Sequence, residues 1–408
     1  MQQEWEQVMQ TDILKASSSS QAKVPEEFSF EAAEAARNFH RGIQGYVETP
    51  LVELDGLART LGVKGIYVKD EAKRFSLNAF KGLGGSYAMF RILCEILNLD
   101  PEKTQLSDLL REEAKEKIRE ITFVTATDGN HGRGVSWAAG LFGCKAYVFM
   151  PAGSAKARAE AIRDAGPARV TITNMNYDDT VNYALEQSEK NGWYLIQDTA
   201  WDGYEKIPAW IIQGYLTMAL EITEQFEAKG QTPTHVFLQA GVGAMAGGVL
   251  GFLAEKYVSH KPVVTIVEPE AANCIYRSAK AGDGKAHSVE GMPETIMAGL
   301  NCGTPCAITW PVLRDYAEYY MSCPDFAAAH GMRVYAEPVG EDKRIISGES
   351  GASTMGAMCL LMQNKAFDSI RKEMGFNEDS VILLINTEGD TDPEGWKRIV
   401  EDGQYPLP

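Results

Sequence analysis

The sequence predicts an α/β fold whose sheets are mostly parallel. The chain has 408 residues, which is enough material for two domains. After the first thirty or so residues, short runs rich in β-branched residues alternate with longer helical patterns, as in parallel α/β folds. The predicted strands cover residues 65–69, 121–126, 145–150, 169–173, 194–197, 235–239, 263–267 and 381–385.

The helical patterns lie between these strands. They cover residues 85–97, 106–118, 133–141, 177–191 and 207–228. The beginning of the chain differs, because four consecutive serines at 17–20 precede Pro25. We therefore expect residues 1–25 to be flexible.

Composition limits the classes of partner. The formal net charge is −17, and nucleic acids or anionic membranes require basic patches. No apolar run approaches the roughly 20 residues that span a bilayer, and the N-terminus has no basic segment followed by an apolar one. The sequence thus favours a cytoplasmic protein that acts on a small molecule.

Seven cysteines are spread widely along the chain. An odd number at wide spacing does not describe a disulfide framework, so reduced thiols are the default, although one local disulfide within the group formed by Cys274 and the cysteines of 302–323 stays open. Cys302, Cys306 and Cys323 resemble part of a metal site, but no histidine is close enough to complete a zinc spacing. We predict no metal.

Lys81 is the first candidate catalytic residue. It follows Phe80 and precedes a glycine-rich run at 82–85, so its ammonium is expected near a tightly turning backbone. Desolvation would lower its pKa, and a neutral amine attacks carbonyl groups, as a Schiff-base lysine must. The alternative is a surface lysine at the start of a helix.

Polar or glycine-rich loops follow four predicted strands. They occupy residues 127–132, 198–201, 241–248 and 387–390. Ligands in parallel α/β folds bind at the carboxyl ends of strands, so these loops together indicate an enzyme site.

The loop at 241–248 allows more than one interpretation. Gly241-x-Gly243-x-x-Ala246 satisfies a dinucleotide fingerprint, and Glu268 ends the next strand where a ribose-binding acid is expected. An NAD-dependent dehydrogenase is therefore one alternative, and a turn that packs a helix on the sheet is another. Five predicted strands and Lys81 precede the strand that leads into this loop, whereas a dinucleotide fold usually opens with such a unit. A phosphate monoester needs the same cradle, and pyridoxal phosphate combines a phosphate, a lysine and a hydrogen-bonded ring.

With these residues, the chain resembles the tryptophan-synthase-β type of pyridoxal-phosphate enzymes, called fold type II. Within that group it is most similar to the diaminopropionate ammonia-lyases. The resemblance covers about residue 45 to the end, and its motifs lie at 78–81, 127–134, 197–201, 239–248 and 348–352. It implies a large domain (1–85 and 202–408), a small inserted domain (86–201), a cofactor in the cleft between them, and a homodimer.

The resemblance also implies a role for each site residue. Lys81 would hold the cofactor as a Schiff base, and Asn130 would bond the 3′ oxygen of its ring. Thr387 would meet the ring nitrogen with a neutral hydroxyl, and Glu349 would approach the ring unless it is a structural turn residue. The phosphate would bind the backbone amides of Gly241, Val242, Gly243, Ala244 and Met245.

Two aspartates point to the substrate. Serine and threonine dehydratases commonly place a small hydroxyl residue where this chain has Asp128, and Asp198 follows another strand end. Two carboxylates near one cofactor suit a diamino acid, because each can hold or deprotonate an ammonium. The structural alternatives are a helix N-cap for Asp128 and an Asx-turn for Asp198.

The implied activity is α,β-elimination of 2,3-diaminopropionate, D or L, to pyruvate and ammonia. Lys81 would act as base on one face of the substrate and Asp128 on the other. Asp198 or Lys81 would control the protonation of the leaving amine. A serine or threonine dehydratase of the same fold is the alternative within this class.

Overall fold

The computed structural model describes residues 11–16, 24–127, 129–291 and 293–408. These residues form two compact units. The first comprises the described part of 1–25 with 49–73 and 219–408, and the second comprises 26–48 and 74–218. The sequence-based division into 1–85 with 202–408 and 86–201 is drawn at other residues and stays a prediction.

Each unit contains one sheet. The strands are β1 (Asp12–Lys15), β2 (Leu51–Glu53), β3 (Gly65–Asp70), β4 (Thr122–Ala126), β5 (Lys145–Met150), β6 (Arg169–Ile172), β7 (Tyr194–Leu195), β8 (His235–Gln239), β9 (Val263–Pro269), β10 (Tyr319–Cys323) and β11 (Val381–Asn386). The first unit has the order β1-β10-β9-β8-β11-β3-β2, and the second has β6-β5-β4-β7. Only β1 and β2 pair antiparallel with their neighbours, so the predicted mostly parallel α/β class is confirmed.

Helices follow most strands. They are α1 (Phe30–Arg41), α2 (Asp55–Leu61), α3 (Lys81–Leu97), α4 (Leu106–Leu109), α5 (Glu112–Ile118), α6 (Asn130–Phe142), α7 (Lys156–Ala165), α8 (Tyr177–Asn191), α9 (Lys206–Ala228), α10 (Ala244–Lys256), α11 (Cys274–Ala281), α12 (Trp310–Tyr316), α13 (Asp325–Ala336), α14 (Glu349–Gln363), α15 (Asp368–Met374) and α16 (Pro393–Val400). No helix within the described ranges is both long and apolar enough to cross a membrane.

All eight predicted strands are confirmed within a few residues, but three strands were missed. Of these, β2 is only three residues long, and β10 (Tyr-Tyr-Met-Ser-Cys) lacks β-branched residues. The third, β1, pairs with β10 and lies inside the segment expected to be flexible, so that expectation is wrong for Asp12–Lys15. The predicted helix at 106–118 is two helices, α4 and α5.

The central strands form the core of each unit. All six residues of β11 are buried, as expected for a parallel strand covered on both faces. The core of the second unit includes Val124, Phe149 and Leu195, from three of its four strands. Both sheets thus give rigid support to the loops at their strand ends.

Candidate active site

Lys81 is the first residue of α3, and close helix packing fixes its backbone. A Cβ on Gly134 of α6 would lie 2.9 Å from the Lys81 carbonyl oxygen, and one on Gly84 would lie 2.7 Å from Ile211 Cγ2 of α9. Glycine at both positions therefore lets α6 and α9 approach the start of α3. The glycines after Lys81 lie in a regular helix, so the tightly turning backbone expected from the sequence is wrong.

The Lys81 side chain is paired with Asp198. Lys81 Nζ donates a hydrogen bond to Asp198 Oδ2 at 2.5 Å, and the two side chains are only 21% and 14% exposed. A carboxylate at this distance stabilises the ammonium. The Asp198 carboxylate therefore opposes the effect of desolvation on the Lys81 ammonium that was expected from the sequence. The sequence did not predict that this carboxylate lies beside Lys81.

Asp198 is a strong acid in this setting. Burial by itself would raise its pKa, but the charge that His131 carries when it is protonated in acid, the charge of Lys81 and the hydrogen bond from Lys81 outweigh burial and lower the pKa well below its usual range. Burial lowers the pKa of His131, so His131 is neutral at pH 7 and Lys81 is the cation that matters there. Asp198 consequently keeps its negative charge across the physiological range.

His131 orients this corner of the site. Its Nε2 bonds to the Ile196 carbonyl oxygen at 2.7 Å, and its Nδ1 lies 3.7 Å from Asp198 Oδ2. Since a carbonyl can only accept, Nε2 carries the proton, and a lone pair on Nδ1 faces the carboxylate. The ring thus joins the first turn of α6 to the segment that carries Asp198.

Tyr204 holds that segment in place. Its hydroxyl donates to the Leu195 carbonyl at 2.9 Å and accepts from the Gln197 amide at 2.9 Å, while its ring stacks on Trp201. Gln197 in turn accepts from the Ala126 amide at 3.1 Å, which ties the end of β7 to the end of β4. No pattern in the sequence indicated these hydrogen bonds of Tyr204.

The loop before α6 carries two further candidates. Asn130 is the first residue of α6, and Gly129 occupies the N-cap position. The Gly129 amide donates to Thr127 Oγ1 at 3.0 Å, which shapes the turn. Asp128 lies outside the described residues, so both of its interpretations stay predictions.

In the first unit, the loop from β8 to α10 presents backbone donors. Gly243 has φ +86°, which favours glycine, and α10 begins at the next residue. A Cβ on Gly241 would lie 3.1 Å from the Leu300 Cα, so the loop is tightly enclosed there. The first amides of a helix lack intrahelical acceptors, and a turn in this conformation aims them at an anion. The loop geometry therefore fits a phosphate.

Thr387 and Glu349 lie at neighbouring positions of the first unit. Gln239, the last residue of β8, donates to Thr387 Oγ1 at 3.1 Å and to the Ser350 carbonyl at 3.3 Å. Glu349 is the buried first residue of α14, directly before Ser350. Gln239 thus links the ends of β8 and β11 to the start of α14. Sequence reasoning gave Gln239 no role, although a polar residue ending a buried apolar strand was a usable signal.

Glu268 has a structural role. Its Oε1 accepts from the Ile275 amide at 2.8 Å, and its Oε2 accepts from the Tyr276 amide at 2.6 Å. The side chain is fully buried, and burial raises its pKa to about 8 although the two amides oppose the shift. Glu268 therefore holds the first turn of α11, and its proposed use as a ribose-binding acid is not supported.

The comparisons with known proteins identify the family. A profile for pyridoxal-phosphate-dependent enzymes matches residues 43–385. The chain is 50% identical over 379 residues to a diaminopropionate ammonia-lyase of Escherichia coli K12, with 93% of each chain covered. The chain belongs to the diaminopropionate ammonia-lyase family of pyridoxal-phosphate-dependent enzymes. A member of this family from Salmonella typhimurium is 49% identical over 368 residues, covering 90% of this chain and 91% of that protein.

Solved structures support the same family assignment. The Escherichia coli diaminopropionate ammonia-lyase in complex with D-serine matches with a TM-score of 0.91 at 46% identity, covering 98% of each chain. The same lyase with an aminoacrylate–pyridoxal-phosphate azomethine intermediate matches with a TM-score of 0.90 at 47% identity. A threonine deaminase of Solanum lycopersicum, at 20% identity and a TM-score of 0.72, shows the shared fold only.

This ammonia-lyase family member is thus a pyridoxal-phosphate enzyme of fold type II, and the predicted cofactor is confirmed. Each unit, taken by itself, has residues that fit this cofactor. The second unit has the amine of Lys81. The first unit has the backbone donors of the 241–245 loop and the Thr387 hydroxyl, which accepts from Gln239. The assignment of individual residues, and the prediction of no metal, stay predictions.

Proposed function

We propose that this enzyme converts 2,3-diaminopropionate, in its D and L forms, to pyruvate and ammonia by α,β-elimination. The supporting observation is the Lys81–Asp198 pair at the start of α3, in a chain that shares half its residues with named diaminopropionate ammonia-lyases. When bound, pyridoxal phosphate withdraws electrons from the substrate α-carbon and so acidifies its hydrogen.

Lys81 has two tasks in this proposal. Its Nζ would hold the cofactor, and when free it would act as the base for the α-hydrogen of the substrate. The close packing of α6 and α9 at Gly134 and Gly84 fixes the backbone from which the Lys81 side chain extends. Proximity of this kind makes a proton transfer efficient, because the base is already oriented.

Asp198 acts as a fixed negative charge. Its pKa lies well below the usual range, so it gives up no proton to a leaving group at neutral pH. It instead pairs with an ammonium, first that of Lys81 and then the β-ammonium of a diamino acid. Because the β-ammonium already carries the proton with which it leaves as ammonia, Lys81 Nζ keeps the proton that it takes from the α-carbon.

The test of the proposed function compares two substrates. Each diaminopropionate molecule should yield one pyruvate and two ammonia molecules, because water replaces the remaining nitrogen after elimination. Serine should yield one ammonia per pyruvate and react at least about 100-fold more slowly in kcat/KM, because it lacks the second ammonium for Asp198 to bind. Faster turnover of serine would favour the dehydratase alternative.

Asp128 is proposed as the base on the opposite face of the substrate. The Asp128→Asn substitution should lower kcat/KM for the D-isomer by about 10²-fold or more, and that for the L-isomer by much less, since Lys81 still serves one face. Pyruvate formation from each isomer measures the difference. Equal losses for the two isomers would refute the two-face assignment.

We also propose that the enzyme is cytoplasmic and forms a homodimer. All seven cysteines are free thiols in the structure, and six of them are buried. Reduced cysteines are typical of proteins in a reducing compartment. The homodimer rests on family resemblance alone.

A further inference from the structure

We propose that Gln239 is a positioning residue for the cofactor: it turns the hydroxyl hydrogen of Thr387 toward the ring nitrogen of pyridoxal phosphate and so keeps that nitrogen unprotonated. The proposal deepens the proposed function, since it rests on the assignment of Thr387 to the ring nitrogen. Gln239 contacts the Thr387 hydroxyl, which is assigned to the cofactor, and acts through it without touching the substrate.

The observation is a buried cluster at one end of the first unit's sheet. Gln239 and Thr387 are 2% and 4% exposed. Gln239 Nε2 lies 2.9 Å from the Ile385 carbonyl oxygen, 3.1 Å from Thr387 Oγ1 and 3.3 Å from the Ser350 carbonyl oxygen. Three oxygens therefore surround one amide nitrogen.

These three oxygens fix which way the amide points. Two of them are backbone carbonyls, which can only accept hydrogen bonds. The opposite orientation would place Gln239 Oε1, which has no hydrogen to donate, against two carbonyl oxygens, at a large cost for buried groups. The amide nitrogen thus faces Thr387, and Oε1 is buried without a partner among the described residues.

The direction of the Thr387 hydroxyl follows. A hydroxyl has one hydrogen to donate and two lone pairs that accept. Gln239 uses one lone pair of Thr387 Oγ1, so the Thr387 hydrogen cannot point at Gln239 and is available to another acceptor. An unprotonated pyridine nitrogen is such an acceptor, whereas a protonated one would compete as a donor.

The chemical consequence concerns the ring nitrogen. A hydrogen bond donated to the neutral form of a base lowers its pKa. With Gln239 in place, Thr387 therefore favours the neutral ring, which is the weaker electron sink. Elimination tolerates a weak sink because the leaving group carries electrons away from the substrate.

The experiment uses holoenzyme loaded with pyridoxal phosphate labelled with ¹⁵N in its ring. Solid-state NMR reports whether the ring nitrogen is protonated, and a pH series gives its titration midpoint. We expect an unprotonated nitrogen at neutral pH in the unsubstituted enzyme. In Gln239→Met the midpoint should rise by about one pH unit, a tenfold gain in proton affinity, because Thr387 is free to turn toward the carbonyls that Gln239 served.

Two further variants make the test specific. Thr387→Val keeps the shape of the side chain without the hydroxyl, and adding Gln239→Met to it should move the midpoint no further, since Gln239 acts only through that hydroxyl. If Gln239→Met fails to fold, Gln239→Glu, which is closer in shape, should raise the midpoint in the same direction because its carboxyl group accepts the Thr387 hydrogen.

The outcomes separate the two proposals. A protonated nitrogen in the unsubstituted enzyme, or an unchanged midpoint in the foldable Gln239 variant, would overturn the role of Gln239 while pyruvate formation from diaminopropionate continued. An additive effect of Gln239→Met on the Thr387→Val background would also overturn it. Failure of the proposed function would appear instead as an absence of pyruvate, whatever the NMR midpoint.

Discussion

Lys81→Ala will abolish the visible absorption band of the bound cofactor and lower turnover of diaminopropionate by at least about 10⁴-fold. The expected loss of turnover is this large because one side chain supplies both the amine that holds the cofactor and the base for the α-hydrogen. Alanine suits a helix, so α3 should still form from residue 81 onward. Absorption spectra and pyruvate formation measure the two effects.

Lys206 offers a matched control for this substitution. It is also the first residue of a helix, α9, and it also pairs with a carboxylate, that of Glu95. Lys206 is however 64% exposed, compared with 21% for Lys81, so Lys206→Ala should leave both the band and turnover unchanged. An active, coloured Lys81→Ala variant would show that Lys81 is structural.

Asp198→Asn will lower kcat/KM for diaminopropionate by about 100-fold and move the basic limb of the pH profile to lower pH. The amide keeps the shape of the side chain but removes the anion 2.5 Å from Lys81 Nζ, so the pKa of Lys81 should fall. Asp198 itself should not titrate in the unsubstituted enzyme above about pH 4, because its pKa is lowered from the ordinary value.

The control for this charge change is Asp202→Asn. Asp202 lies four residues further along the chain and is exposed, so its substitution removes the same charge without touching Lys81. We expect wild-type kinetics for it. If Asp198→Asn also stayed within twofold of wild type with the same pH profile, the proposed electrostatic role of Asp198 would be wrong.

The sequence predicted the fold class and the strand-end loops well, because periodicity and glycine runs are local signals. It could not predict the pair formed by Lys81 and Asp198, which are 117 residues apart in sequence. Their approach depends on the pairing of β4 with β7 and on the crossing of α3 with α6. Such long-range packing leaves little trace in a local pattern.

Two local signals were misleading for physical reasons. Glu268 stands where a ribose-binding acid would be expected, but both of its oxygens accept from amides of α11. The glycines after Lys81 suggested a turn, whereas Gly84 permits close contact with α9 in a regular helix. In each case the partner of the residue, rather than its type, determined its role.

Reduction of the holoenzyme with borohydride, followed by digestion and mass spectrometry, tests most directly whether Lys81 holds the cofactor. Reduction makes the bond between the cofactor and its lysine permanent, so the modified residue can be located. We expect the pyridoxyl group on the peptide that contains Lys81. Its presence on any other lysine, with Lys81 unmodified, would contradict the site described above.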